Sequence, residues 1–434
     1  MVSMTAPSEP EVAGGAASIS SCVYNLTNTI IGSGVLALPA AFAMCGSALG
    51  SGLLLLFALF SAHGLHLLSL SAQIIEERRS SAGDPPTPAS FRQVASAAAP
   101  RFASFVDLAV IIKCFGVACS YLIVVGDSLP IVAQRALPDV PWAGRREPWI
   151  LFAAFVVTPL ALKKKLDNLR LVSAASLLCC GGIALLVVTE LLSSDRAVDT
   201  NYVVFDGATL KNLPIFVFGF TCHQNIFAVN NELKNPTRRR LDAVVVCAIG
   251  LALVFYLVIA NAGYATFGAK IKPDLLKSYA ATSAVALARI AVAIEVTSAI
   301  PLQLHPSRMC VRSLLEQLRV APSTDYALID GEAPPRRRSS SQGDDDRPAA
   351  RDVEHISITL AFLAGALAVA LSVRSLGKVL ALVGATGSTT ISYILPGGIY
   401  WRVGPPGHKR CLAAGQFLLG CVIMPAALTF VFLK

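Results

Sequence analysis

Two stretches of this sequence put polar and flexible residues where an apolar helix would be expected. The first reads Asn25-Leu26-Thr27-Asn28-Thr29-Ile30-Ile31-Gly32-Ser33-Gly34-Val35-Leu36. The second reads Phe216-Val217-Phe218-Gly219-Phe220-Thr221-Cys222-His223-Gln224-Asn225, followed by Asn230-Asn231-Glu232. Each glycine costs a helix about 1 kcal/mol relative to alanine, so Gly32-Ser33-Gly34 predicts a local break. A break frees backbone N–H groups and turns a helix N-terminus inward, where it attracts a carboxylate. Taken alone, Gly-x-Gly also serves ordinary close helix packing. Gly219, Thr221, His223, Gln224 and Asn225 are costly at membrane depth unless they face a cavity. No nucleophile–base pair or metal-ligand set accompanies either run. There is no C-x-x-C pair and no G-x-x-x-x-G-K-[ST] loop. Neither an enzyme nor direct ATP drive is expected, and no cofactor or metal.

These runs must be positioned by membrane spans. The chain has 434 residues, of which 54% are apolar and 15% charged, with a mean hydropathy of +0.63. An average soluble chain carries about 25% charged residues. Disordered, collagen-like and coiled-coil classes are excluded by composition. The net charge is +9, but no basic stripe is interleaved with aromatics, so nucleic acid is not an expected partner. Membrane lipid is. Apolar windows fall near 19–44, 47–72, 104–130, 149–163, 171–192, 212–232, 241–267, 278–302, 354–373, 376–401 and 410–433. A span needs about 20 residues to cross a core of ~30 Å, and the fourth is short. Backbone groups find no water there, so the spans must be helices. The expected organisation is a short cytoplasmic tail over 1–18 and a transmembrane domain over 19–433. The two polar runs lie five spans apart, the spacing of an inverted five-helix repeat with discontinuous helices at its site.

Orientation follows from lysine and arginine. With the N-terminus cytoplasmic, 23 of them fall on the cytoplasmic side and 11 on the other, with Lys113 and Arg289 inside spans. That asymmetry places the N-terminus inside. Residues 319–353 hold Pro334, Pro335, Arg336–Arg338, Ser339–Ser341 and Asp344–Asp346 and read as a disordered cytoplasmic loop. Three arginines before Ser339, Ser340 and Ser341 make a candidate site for a basophilic kinase, against a plain solvated linker. The eleven cysteines lie in spans, at span edges or near a turn, and read as small packing residues. Residues 1–18 lack a basic n-region, so no cleavable signal peptide is expected.

The stretches Asn25 to Pro39 (NLTNTIIGSGVLALP), Leu160 to Ser173 (LALKKKLDNLRLVS), Phe220–His223 and Glu232–Pro236 resemble the amino acid/auxin permease family. That family includes sodium-coupled neutral amino-acid transporters and the vacuolar amino-acid transporters of fungi and plants. The resemblance runs over essentially all spans. Lys113–Gly116, Ser120–Asp127 and Pro301–Pro306 are more similar to the fungal vacuolar type. The implied fold is all-α: eleven transmembrane helices, a LeuT-like five-plus-five inverted repeat with one extra C-terminal helix. The implied function is secondary active transport of amino acids by alternating access, and the implied location an acidic organelle membrane. From another class, a substrate sensor signalling through 319–353 is the alternative.

Carried onto this sequence, the resemblance puts the substrate carboxylate at the backbone of Gly32, Ser33 and Gly34. The substrate amine would face carbonyls around Phe218 and Gly219. Side-chain selectivity would fall to Thr221 and His223, and to Lys113 and Gly116. Many family members have proline after the histidine, where this chain has Gln224, which puts the helix restart in doubt. For the coupling ion, Thr297, Ser298 and Asn28 offer oxygens to sodium by resemblance to the sodium-coupled members. Against sodium stands Lys113, about nine residues and so roughly 13 Å into its span. A desolvated ammonium there is a candidate titrating group, and His223 is a second. Pairing with Asp107 or another carboxylate is the structural alternative for Lys113. Protons are therefore the favoured coupling ion, with sodium the alternative. Arg289 also needs an internal partner, and Glu295, six residues on, faces away from it.

Gly32→Val or Gly34→Val is expected to abolish uptake of labelled amino acid while membrane insertion stays intact. Wild-type uptake by both variants would remove the broken first span from the site.

Overall fold

A computed structural model describes residues 15–84, 89–163, 169–194, 198–320 and 348–432. The candidate kinase serines and most of 319–353 lie outside the described residues. Among those described, regular structure is helical, with one isolated parallel bridge between Ala17 and Leu233. The first span is two helices, α1 (Ile19–Ile30) and α2 (Gly34–Cys45), bent by 57° at the predicted break. They are followed by α3 (Ser47–Ser81), α4 (Phe91–Ala98), α5 (Ala103–Ala136), α6 (Arg146–Ala161) and α7 (Leu169–Leu192). The sixth span is again two helices, α8 (Gly207–Gly219) and α9 (Ile226–Glu232). Then come α10 (Arg238–Phe267), α11 (Ser283–Val320), α12 (Pro348–Ser372), α13 (Leu376–Val383), α14 (Leu395–Val403) and α15 (His408–Phe432). Between α13 and α14 the helix is wound as π-turns over Gly384–Ser388 and Thr390–Ile394.

Seven of these stretches are long and apolar enough to cross a bilayer unaided: α3, α5, α10, α11, α12, α15 and the run from α13 to α14. The bent α1–α2 pair makes an eighth. The other three of the eleven expected spans fall on α6, on α7 and on the interrupted α8–α9. With 16 residues, α6 is about 24 Å long, short of the ~30 Å core. Among the described residues, length and apolarity therefore identify eight spans, and eleven is not reached on that criterion.

The broken helices occupy the middle of the bundle, α1 and α2 against α10, and α2 against α8. α5 packs along α11, and glycines admit close contacts between α5 and α13 and between the tenth span and α8. A Cβ on Gly116 of α5 would lie 2.0 Å from Val383 Cγ2, and one on Gly384 would lie 2.0 Å from the Pro214 carbonyl oxygen.

At one end of the bundle, charges clasp α5, α6 and the segment between α10 and α11. Asp127 Oδ1 lies 3.1 Å from Arg146 Nε, and its Oδ2 lies 2.7 Å from Lys277 Nζ. Arg289, fully buried on α11, donates to the Leu276 carbonyl. Its expected internal partner is thus this loop, and Glu295 instead bonds Ser176 of α7. Asp274 accepts the Leu276 N–H at 3.0 Å. Burial pushes its carboxyl up to about 6; the Asp127 charge adds to this, and Lys277, Arg289 and the Leu276 N–H oppose it.

The folded state holds the Asp274 proton more tightly than an ordinary carboxyl of 3.8 does. This contribution to stability is full at low pH and is lost as pH rises through about 6. Purified protein is expected to gain roughly 1 kcal/mol between pH 7 and pH 5 from this group. Thermal unfolding at the two pH values checks it, and Asp274→Asn should flatten that part of the difference.

Candidate substrate site between two broken helices

Where α1 and α8 stop, their last carbonyls lack intrahelical donors. Tyr256 of α10 reaches both. Its hydroxyl lies 2.6 Å from the Ile30 carbonyl oxygen and 3.0 Å from that of Gly219, and the side chain is fully buried. One O–H is shared between the two breaks. A second tie comes from Asn225, whose Nδ2 donates to Thr29 Oγ1 at 2.8 Å, while Thr29 donates to the Asn25 carbonyl. A third is the backbone bridge: the Ala17 N–H donates to Glu232 O and the Lys234 N–H to Ala17 O, both at 2.9 Å. The first and sixth spans are therefore held face to face.

Between them lies a cavity of about 10 Å³, walled by Thr29, Ile30, Gly32 and Ser33 of the first break, Phe218 and Thr221 of the second, Lys113, Val117 and Tyr121 of α5, and Gln303 of α11. That is about the space one water requires. The conformation is closed around the site. Ser33 and Ser120 hydroxyls lie 2.8 Å apart, and Ser120 donates to the Val117 carbonyl at 2.7 Å, leaving its oxygen to accept from Ser33. The glycines permit this closeness. A Cβ on Gly32 would lie 2.9 Å from the Tyr121 hydroxyl, and one on Gly34 would lie 3.2 Å from the Phe218 ring.

Lys113 is buried in the wall, and its Nζ donates to Gln303 Oε1 at 3.1 Å. The alternative pairing with Asp107 does not form. Asp107 is held by Arg92 Nη1 and by the Ser313 hydroxyl, each at 2.6 Å. Of the expected site residues, Gly32, Ser33, Lys113, Phe218 and Thr221 meet at this cavity. Gly34 and Gly219 adjoin it: a Cβ on Gly34 would lie 3.2 Å from the Phe218 ring and 3.7 Å from Gly219 Cα. Gly116 does not line it and instead packs on Val383. His223 is buried behind it, with Nδ1 3.1 Å from Ser392 Oγ. Asn28, Thr297 and Ser298 are not among its walls. The last two spend their hydroxyl protons on their own helix, at Ala293 O and Glu295 O.

Sequence reasoning passed over Tyr256 entirely, and gave Tyr121, Ser120 and Gln303 no site role. Nothing local marks a tyrosine inside an apolar helix as the tie between two distant breaks. The π-turns did carry a signal, in the small and hydroxylated run Gly384-Ala385-Thr386-Gly387-Ser388-Thr389-Thr390. Such turns recur at functional sites. Here Gly387 lets the tenth span approach Lys113, where a Cβ would lie 2.8 Å from its backbone nitrogen. The same span is anchored by Gln416 of α15, which donates to the Ser392 carbonyl at 2.9 Å and bonds His63 of α3. After the second break the helix restarts without proline, through a 3-10 turn over His223–Asn225 closed by the Asn225 N–H on Cys222 O at 2.9 Å.

Two interrupted helices facing each other inside a helical bundle define a LeuT-like membrane transporter fold. The fold is similar to that of a solved Na+-coupled sialic acid symporter, with a TM-score of 0.50 and 13% identity over 97% of this chain and 91% of that one. The chain matches the family described as transmembrane amino acid transporter protein over residues 15–433, and it belongs to that family. It is 35% identical to vacuolar amino acid transporter 5 of Schizosaccharomyces pombe, over 94% of this chain and 93% of that protein. It is 32% identical to vacuolar amino acid transporter 6 of Saccharomyces cerevisiae, over 95% and 98%. It is 27% identical to sodium-coupled neutral amino acid symporter 2 of Danio rerio, over 91% and 77%. The protein is a multi-pass integral membrane protein of an amino-acid transporter family.

Tyr256→Phe would leave two buried carbonyls without their donor, a cost of about 1–3 kcal/mol. The variant is expected to fold with a lowered unfolding midpoint and at least a roughly tenfold loss of uptake, the rate equivalent of about 1.4 kcal/mol. Fluorescence-monitored unfolding and vesicle uptake check the two effects separately.

Proposed function

We propose that this protein moves amino acids across a vacuolar-type membrane by alternating access, driven by protons. The substrate carboxylate is received by the backbone N–H groups of Gly32, Ser33 and Gly34, at the positive end of α2. The substrate amine meets carbonyls at the end of α8, around Phe218 and Gly219, with Thr221 beside them. A cavity of about 10 Å³ does not hold an amino acid. Loading therefore requires the Tyr121 and Phe218 rings to withdraw from the two breaks, and transport is a shift between states that open to opposite sides.

The observation that carries the proton reading is Lys113: an ammonium buried in the cavity wall with an amide oxygen as its partner. Removing its proton removes a positive charge next to the substrate site, which couples protonation to occupancy of that site. The vacuolar names of two relatives support the location. The runner-up is sodium coupling, which the name of the zebrafish relative supports.

Reconstituted protein is expected to accumulate labelled amino acid when a proton gradient is imposed, and Lys113→Met to lose that accumulation. If a sodium gradient alone drives uptake at symmetric pH, and Lys113→Met leaves that uptake unchanged, sodium is the coupling ion. Absence of uptake under both gradients would overturn transport itself.

A further inference from the structure

A second cavity, of about 180 Å³, lies far along α11 from the substrate site, between that helix and the start of α12. Its walls carry two guanidinium groups, Arg308 and Arg312, two imidazoles, His305 and His355, and one carboxylate, Glu354. Arg312 Nε lies 3.5 Å from Glu354 Oε1, so that pair is already balanced. Arg308 is not. It is buried, and Nη1 lies 2.8 Å from the Ala161 carbonyl and 3.1 Å from both Thr359 Oγ1 and His355 Nε2. Two of those partners are neutral oxygens and the third is an imidazole nitrogen, and no carboxylate pairs with Arg308 among the described residues. A buried guanidinium without an anion is costly. Anions with several oxygens suit its planar fork best.

The cavity's place in the fold says where such an anion comes from. Helix α6 stops at Ala161, short of a full crossing. Arg308 caps the Ala161 carbonyl, and His355 Nε2 lies 3.1 Å from that of Leu162. Around this notch the surface is apolar, with Leu160, Met309, Ile356 and Leu360 exposed. A cationic floor under an apolar rim, at the end of a short span, is suited to a headgroup at the bilayer surface. We propose that this cavity binds a phosphoryl anion, presented by a lipid headgroup or taken up as free phosphate.

The test uses the full-length protein in phosphatidylcholine nanodiscs. Binding of dioctanoyl phosphatidic acid, dioctanoylglycerol and inorganic phosphate is followed by native mass spectrometry. Saturable binding of the phosphatidic acid but not the diacylglycerol is expected. A His305→Gln/Arg312→Gln double variant removes the Arg312 charge and the His305 imidazole from the lining while leaving the Arg308 cap of α6 in place. It should bind at least about fivefold more weakly, near the effect of one basic residue at a membrane surface. Its unfolding midpoint, measured alongside, shows that the fold is retained. Inorganic phosphate displacing the lipid at equal concentration would assign the site to free phosphate; failure to displace it assigns the site to the headgroup. No saturable binding of either ligand, or equal binding by wild type and a folded double variant, overturns the proposal. Uptake through the substrate site is read separately, so its failure and this one are distinguishable.

Discussion

One phenolic hydroxyl ties the two broken helices together. Helices that stop inside a bilayer leave carbonyls with nothing to accept from, and each such group costs several kcal/mol in hydrocarbon. Tyr256 supplies a donor to both Ile30 and Gly219 from a single position on α10. The two breaks must therefore sit at the same depth and face the same side of α10. Asn225 on Thr29 and the Ala17–Leu233 bridge repeat that coupling further along the chain. These bonds fix the first and sixth spans to each other as part of the packed frame.

Closure around the breaks is achieved with side chains rather than backbone. Tyr121 stands over Gly32, and Phe218 over Gly34. Ser33 meets Ser120 across the gap. The π-turns of the tenth span complete the wall behind Lys113. There Thr389 returns its hydroxyl to the Gly384 carbonyl at 2.7 Å, satisfying an acceptor inside a helix whose regular ladder is disturbed. The aromatic rings can leave by rotation, whereas the α10 tie and the π-turns belong to the packed frame.

The buried charges sort by their partners. Asp107 is matched by Arg92 and a serine, and Asp127 by Arg146 and Lys277. These pairs join neighbouring helices near the ends of the bundle, where a full Coulomb pair offsets part of the desolvation. Lys113 is different, since its partner is the neutral Gln303. A charge held by a neutral partner stays sensitive to what else enters the cavity. That property distinguishes it from the structural ion pairs.

The sequence by itself determined that the chain is helical, membrane-spanning and broken twice, because composition and glycine placement act locally along the chain. It also located five residues of the cavity wall, since Gly32, Ser33, Phe218 and Thr221 sit in the breaks and Lys113 is conspicuous in an apolar span. Only the tertiary structure decided the rest. Gly116 and His223 look like site residues by position, but which way a helical residue faces depends on its neighbours. Those neighbours, Val383 for one and Ser392 for the other, lie more than 150 residues away. Tyr256 shows the same limit in reverse. Its hydroxyl matters only because two carbonyls, from Ile30 and Gly219, arrive at it, and that meeting is a product of packing between helices distant in sequence.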